Sequence, residues 1–417
     1  MSAALSSASV LVLLSLGCSA SGFDPSEAGQ VENDAGQDAG SPSADAGVDD
    51  AGVDNAGGLD GAAADESGDF AAIPLDAEMR SEIDELVRPL VDPEGAAGKA
   101  IGLSIAVVGP TLRDVLGYGT TTKGGSIIPK ADTVFEIGSI TKVITGLLLA
   151  QHVVDGRVAL DDPAAQYLPS ETVVPSASCA PITLRHLATH TSGLPQMPPN
   201  LVGSPPNPAA GYTPALLYEF LARCRTASVP GTEYAYSNVG IGLLGHVLSL
   251  LNRKASYDDL IEDVIATRIG MKDTRIDASG ALADRRAHGY DAGTVVPPNV
   301  IDTIEAAGAL RSTGADLVRF MEAGIAPPST IALPMALLLS PQADVGPEPG
   351  AEMGLAIAIG QEAGAQVFLK AGTTGGFSSF MIFSSEIGIG VAVLANDHRF
   401  DASGLAKEIF RRLAANG

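Results

Sequence analysis

The chain has 417 residues, 46% of them hydrophobic and 5% aromatic, with 25 Lys and Arg against 49 Asp and Glu and a formal net charge of −24. This length and apolar content suffice for a large core and allow two or three domains, while the acidic balance leaves no basic stripe for nucleic acid to bind. The charge is uneven: residues 1–75 carry thirteen acidic side chains and no basic one, and a run of one sign is ordinarily a solvated face.

Residues 1–18 open the chain with a run of apolar and small residues from Ala3 to Gly17, centred on Val10-Leu11-Val12-Leu13-Leu14 and ending in Ser15-Leu16-Gly17-Cys18. The run is too short to span a bilayer as a helix and has the length of the apolar core of an export signal. Its ending resembles a bacterial lipobox. That resemblance implies lipidation of Cys18 and an exported protein, periplasmic or anchored at the outer membrane, that meets membrane only through the lipid. Plain secretion and an uncleaved segment are the alternatives.

Residues 19–75 read as an acidic tether. Asp-Ala-Gly recurs at 34–36, 38–40, 45–47 and 50–52, and from Asp24 to Asp69 there is no aromatic residue, Lys or Arg. Such a stretch buries too little apolar surface to offset its ordering entropy, which predicts disorder. The repeats are too short and glycine-rich for a solenoid. Setting Cys18 aside leaves Cys179 and Cys224; a disulfide and two separate thiols are both open, because spacing does not establish geometry.

Residues 76–417 read as the folded domain. Asp76 suits the cap of a helix that carries Met79, Ile83, Leu86, Val87, Leu90 and Val91 on one stripe. Ile101–Val108 and Val115–Thr121 read as an antiparallel hairpin around Gly109-Pro110. Near the other end, Met353–Ile359, Gln366–Lys370, Phe377–Phe383 and Ile389–Leu394 read as four more strands, and Ser403–Ala415 as a terminal helix. The fold class is therefore mixed α/β (α+β), with an antiparallel sheet built from both chain ends and flanked by helices. Between them, Leu216–Ala222, Val239–Leu251 and Ser256–Arg268 have helical periodicity and predict an inserted, mostly helical lobe at roughly 150–305. Clefts between lobes commonly hold active sites.

Three segments carry chemistry. Ser139 precedes a stripe of Ile140, Val143, Ile144, Leu147 and Leu148, so it belongs at the start of a buried helix with Lys142 one turn on, on the same face. A buried amine loses solvation and can take the hydroxyl proton in its neutral form. Tyr236 and Asn238 follow the turn Pro230-Gly231-Thr232 and precede a helix; residues two apart in an extended segment point to one side, where a phenol can exchange protons and an amide can hold a substrate carbonyl. Lys370 ends a predicted strand before the glycine-rich run Ala371-Gly372-Thr373-Thr374-Gly375-Gly376-Phe377. There the Thr373 and Ser139 amides can form an oxyanion hole, the strand edge can pair with a peptide-like substrate, and Lys370 supplies a field that lowers the Tyr236 and Lys142 pKa values and attracts a carboxylate. Taken singly, each has a plain reading: a capping Ser with a surface Lys, a buried Tyr beside a capping Asn, a hairpin with a solvated Lys. The six histidines have no metal-ligand spacing, and no Gly-x-Ser-x-Gly elbow surrounds Ser139.

With Phe135-Glu136-Ile137-Gly138 before Ser139, and Leu184-Arg185-His186-Leu187-Ala188-Thr189-His190-Thr191-Ser192-Gly193-Leu194-Pro195 between the first two segments, the chain from about residue 76 onward resembles class C β-lactamases and related penicillin-binding serine hydrolases. The resemblance implies a β-lactamase/transpeptidase-like fold and no cofactor or metal. It also implies Ser139 as acylated nucleophile, Lys142 and Tyr236 in acid and base roles, Asn238, Lys370, Gly372 and Thr373 at the substrate, and His190 in a structural loop. Ala371 stands where this family usually has Thr, removing a hydroxyl that meets the substrate carboxylate, which weighs against efficient β-lactam hydrolysis. The expected function is cleavage of an amide or ester through an acyl-serine, on a small molecule or peptidoglycan peptide, with β-lactams as ligands. The order is D,D-peptidase or β-lactamase first, a small-ester esterase next, and a penicillin or cell-wall sensor without turnover as the non-enzyme alternative.

Overall fold

The computed structural model describes residues 70–96, 98–176, 180–253, 256–344, 346 and 351–416. The apolar run ending at Cys18, the tether through residue 69, and Cys179 with its pairing to Cys224 lie outside the described residues. Residues 70–75, expected within the tether, already join the fold: Ile73 exchanges backbone hydrogen bonds of 2.8 and 2.9 Å with Arg113, and Leu75 is buried.

The chain first forms α1 (Ala77–Val87), whose N-terminus is capped by Asp76 accepting from Met79 N–H at 2.8 Å, then β1 (Gly102–Gly109) and β2 (Leu112–Gly119). A short strand β3 (Val134–Glu136) leads into α2 (Thr141–Val154). The helical lobe follows, with α3 (Leu184–Ala188), α4 (Pro214–Arg223), α5 (Asn238–Asn252), α6 (Tyr257–Ile261) and α7 (Thr267–Ile269). A small hairpin, β4 (Gly289–Asp291) and β5 (Thr294–Val296), precedes β6 (Arg311–Thr313), α8 (Gly314–Ile325) and α9 (Ala332–Leu339). The chain closes with β7 (Glu352–Met353), β8 (Ala358–Glu362), β9 (Ala365–Thr373), β10 (Ser378–Ser384), β11 (Ile389–Ala395) and α10 (Ala402–Asn416).

Both ends of the domain meet in one seven-stranded antiparallel sheet of order β2-β1-β11-β10-β9-β8-β7. Strand alternation sends successive side chains to opposite faces, and each face has its own core. Leu103, Ile105, Val107, Phe380, Ile382, Val391 and Val393 pack with Ile83 of α1 and Ile409 and Phe410 of α10. Ala106, Val108, Met381, Phe383, Ala392 and Leu394 face the other way, into the core shared with α2, α5 and α8. Helix α2 is buried on every side from Thr141 to His152, as expected of a helix that is apolar all round.

Three expectations need correction. The run Met353–Ile359 is two short strands joined by a buried turn, in which Gly354 N–H donates to Ile357 O and Ala356 N–H reaches Ala188 O; an apolar run alone does not separate a strand from a buried turn. The helix expected over Ser256–Arg268 is broken by a π-turn at Glu262–Ala266 between α6 and α7. Strand β9 does not end at Lys370 but continues to Thr373, because its pairing with β10 runs on to Thr373 opposite Ser378. Among the described residues no helix is long and apolar enough to cross a membrane.

Candidate active site

Ser139 sits in a single 3₁₀ turn, Gly138–Ile140, that enters α2, rather than in the α-helix itself. Gly138 adopts φ +48°, and a Cβ there would lie 2.6 Å from Thr373 N. A Cβ on Gly372 would lie 2.1 Å from Ile137 O. The two glycines thus let the turn and the end of β9 touch along their backbones, an approach that any side chain would block. Ser379 Oγ donates to Ile137 O at 3.0 Å, and Ile137 N–H donates to Leu310 O at 3.1 Å, so the turn is held from both sides.

Lys142 is fully buried. Its Nζ lies 2.9 Å from Ser139 Oγ, 2.8 Å from Asn238 Oδ1, and within a short hydrogen bond of the Ala307 carbonyl. Burial first, and the Lys370 charge second, hold its pKa well below the usual lysine range. A neutral amine here donates its two N–H bonds to Asn238 and Ala307 and turns its lone pair to Ser139 Oγ. The Ala307 carbonyl is a partner that sequence reasoning missed. Its segment is fastened to α2 by Thr145 Oγ1 donating to Ala306 O at 2.9 Å and by Leu310 N–H donating to Thr141 Oγ1 at 3.2 Å. The small-residue run Ala306-Ala307-Gly308-Ala309 was the only sequence signal of so close an approach.

Tyr236 OH is 2.6 Å from Ser139 Oγ. The residue capping α5 is Ser237, whose Oγ accepts from Gly240 N–H at 2.9 Å and donates to Pro195 O at 2.7 Å. Its extended backbone, φ −134° and ψ 112°, turns Tyr236 and Asn238 to the same side,. Burial raises the Tyr236 phenol above its ordinary value, partly offset by its bond to Ser139. This reverses the expected lowering, because desolvation of the phenolate is the larger effect and the Ser139 hydrogen bond offsets it only in part,. His190, at φ +59°, accepts from Ser237 N–H through Nδ1 at 3.3 Å and packs its ring 4.6 Å from that of Tyr236. Its burial holds its pKa far below the usual value, so it is a neutral prop for the Tyr236 backbone and ring.

Lys370 shares the sheet face of Phe368 and Met381. Its Nζ lies 5.1 Å from the centre of the Tyr236 ring, and that of Lys142 4.9 Å from it. Burial draws Lys370 down to about 8, and among the described residues it has no ion pair. Next to it the edge of β9 is open. Thr374 N–H donates to Phe377 O at 3.0 Å; by ladder alternation Ala371 and Thr373 therefore turn their N–H and C=O groups away from β10. On that side β8 reaches only to Leu369, paired with Ala358. The Thr373 amide is thus beside Gly138 and unclaimed by either neighbouring strand. Ser139, Lys142, Tyr236, Asn238, Lys370, Gly372 and Thr373 all converge on one place. Among the described residues no group of three or more His, Cys, Asp or Glu side chains is arranged to hold a metal ion.

A hydroxyl between a buried amine and a phenol, with an amide, a second cation and an open strand edge around it, is equipped for acyl transfer. A family model described as Beta-lactamase matches residues 83–416. The chain belongs to the beta-lactamase family. Within the family it is similar to the D-alanyl-D-alanine-carboxypeptidase/endopeptidase AmpH of Escherichia coli strain K12, with 33% identity over 224 residues that cover 54% of this chain and 57% of the relative. It is also similar to a β-lactamase of Pseudomonas fluorescens, with 31% identity over 254 residues covering 60% and 66% of the two chains. The matched stretch thus spans about three-fifths of these relatives. Among solved structures it resembles a β-lactamase/D-alanine carboxypeptidase from Yersinia pestis complexed with citrate, at TM-score 0.66 and 26% identity over 82% of this chain and 99% of that one. Membership supports an enzyme of the serine-hydrolase type.

Proposed function

We propose that this β-lactamase-family protein is a serine hydrolase that cleaves an amide through an acyl-Ser139 intermediate, with a D,D-peptidase-like preference for peptides ending in a free carboxylate. The observation that carries the reading is the contact of Ser139 Oγ with both Lys142 Nζ, at 2.9 Å, and Tyr236 OH, at 2.6 Å. Neutral Lys142 takes the Ser139 proton as Oγ bonds to the substrate carbonyl carbon, and the carbonyl electrons move onto oxygen facing the Thr373 and Ser139 amides. Collapse breaks the carbon–nitrogen bond as the Tyr236 hydroxyl gives its proton to the leaving amine, and Lys142 returns to Tyr236 the proton it took from Ser139. Water then attacks the ester, its proton returns by the same route to Ser139, and the acid leaves. Asn238 orients the acyl half and Lys370 holds the carboxylate of the leaving half. Alanine at 371 favours a peptidase over an efficient β-lactamase, while β-lactams remain ligands that acylate Ser139.

The test is incubation of purified protein with a D-Ala-D-Ala peptide, nitrocefin and a p-nitrophenyl ester, alongside mass spectrometry after fluorescent penicillin. Peptide cleavage and an adduct on the Ser139 peptide, both lost in Ser139→Ala, are expected. An adduct that persists in the variant, or no turnover of any substrate, rejects the assignment.

The hydrolase domain, by the same proposal, runs over 70–417 with its helical lobe at roughly 150–305, and is exported and held at a membrane surface by lipid on Cys18 through the tether of residues 19–69. Cys18→Ser is expected to move the protein from the membrane fraction to the soluble one; unchanged fractionation counts against the anchor.

A further inference from the structure

A cavity of about 490 Å³ lies between the β4–β5 hairpin and β3, within the ~300–1,000 Å³ usual for small-molecule sites. Its apolar wall is made by Phe135, Phe377, Val295, Val296, Pro297 and Pro298, and Val295 leaves 60% of its surface uncovered. The charged or basic lining residues are Glu136, Arg286, His288 and Arg311. Glu136 and Arg311 satisfy each other and the backbone: they approach to 3.6 Å, Asn299 N–H donates to Glu136 Oε1 at 2.8 Å, and Arg311 donates to Asn299 O at 3.1 Å and to Ile276 O. Arg286 and His288 are both exposed. They flank Ala287, whose N–H donates to Val134 O at 3.0 Å, and the backbone is extended from Arg286, at φ −73° and ψ 134°, so residues two apart turn to one side. Among the described residues neither side chain has a hydrogen-bond or ion-pair partner.

None of Ser139, Lys142, Tyr236, Asn238, Lys370 and Thr373 lines this cavity, so it is not a subsite of the acyl-transfer centre. Its two aromatic rings nonetheless belong to the backbone segments that carry the Ser139 and Thr373 amides. Phe135 stands on β3 just before the Ser139 turn, and Phe377 closes the turn after Thr373 by accepting from Thr374 N–H at 3.0 Å. The rings meet edge to face, with centroids 6.1 Å apart and planes at 81°. The hairpin holds the same turn through Tyr290 N–H, which donates to Gly376 O at 3.0 Å. An unpaired guanidinium beside an apolar wall is matched by a carboxylate on an apolar body, the head pairing with Arg286 and the body covering Val295 and the two rings. We propose that this cavity is an effector site for a small apolar carboxylate, whose occupancy braces Phe135 against Phe377 and so steadies the two amides. Binding there is independent of the acyl-Ser139 reading; the effect on rate rests on it.

The experiment titrates the full chain with octanoate and octanamide by isothermal calorimetry, in the parent, Arg286→Gln and Ala283→Trp, the last of which fills the cavity from a lining position. Octanoate should bind the parent and octanamide roughly tenfold more weakly, and Arg286→Gln should bring octanoate down to the level of octanamide, as when a charge-assisted bond is lost. Ala283→Trp should abolish both. In turnover of a D-Ala-D-Ala peptide, saturating octanoate should raise kcat about twofold or more with KM unchanged in the parent, and do nothing in Arg286→Gln. Absent octanoate binding, or binding that Arg286→Gln leaves unchanged, overturns the site. Octanoate that competes with the peptide, raising KM alone, puts its carboxylate at Lys370 and overturns the site as well; binding with an unaltered kcat overturns the effector role. Should Ala283→Trp fail to fold, Arg286→Gln, which alters an exposed and unpartnered side chain, decides. A parent that turns over no peptide overturns the acyl-enzyme reading and the rate effect with it, while calorimetry still decides the site.

Discussion

Lys142 and Lys370 face the same tyrosine ring from about 5 Å, and burial depresses both, by different routes. Lys142 is sealed in and further disfavoured as a cation by Lys370; Lys370 is half-buried by surface area and is lowered by desolvation alone, to about 8. One is thereby suited to accept a proton, while the other remains a cation at neutral pH. The consequence is a pH dependence with a definite sign. As pH rises through about 8, Lys370 loses its charge, so KM for a peptide with a free terminal carboxylate should rise, while KM for the same peptide as its methyl ester should stay level. Lys370→Arg, charged throughout, should abolish the inflection. Parallel profiles for acid and ester would remove Lys370 from carboxylate binding. For stability the sign is opposite to that of a paired lysine. The folded value lies below the ordinary 10.5, so between about 8 and 10.5 the unfolded chain binds the extra proton, and this group's contribution to stability grows as pH rises through that window.

At the scale of elements, the site is the meeting of a 3₁₀ turn, a helix start and a strand end, and these differ in how far sequence discloses them. The strands were legible because alternation at β1, β10 and β11 sorts their side chains into two cores. The convergence of Ser139, Lys142, Tyr236, Asn238 and Lys370 was legible because three short segments with complementary chemistry are hard to assemble by chance. The direction of the Tyr236 shift was not, since it depends on how completely the ring is enclosed by His190 and its neighbours. The Ala307 carbonyl escaped notice for a different reason: a backbone acceptor carries no side-chain signature. The length of β9 was misjudged because the glycine after Ala371 reads as a strand terminator, whereas here the missing Cβ is what allows β9 to run against Ile137 without leaving the sheet.

In the whole molecule, the sheet separates two cores with different duties. The face bearing Lys370 joins the helical core that positions Ser139 and Tyr236, whereas the opposite face is covered by α1 and α10. Fully buried Phe410 of α10 belongs to that second core. Phe410→Ala should therefore cost about 3–5 kcal/mol of unfolding free energy, the usual range for deleting a buried aromatic ring. Because strands are coupled through the ladder, the loss should appear as an earlier single transition in urea. Because the hydrogen bonds and ring contacts of Ser139, Lys142, Tyr236 and Lys370 run to residues outside α10, kcat/KM per folded molecule should stay within about twofold, as for substitutions at distant, independent sites. Activity falling further than the folded fraction, measured on one sample by circular dichroism and turnover, would mean that the sheet transmits strain from its far face to Lys370 and Thr373, and that the two cores are not independent.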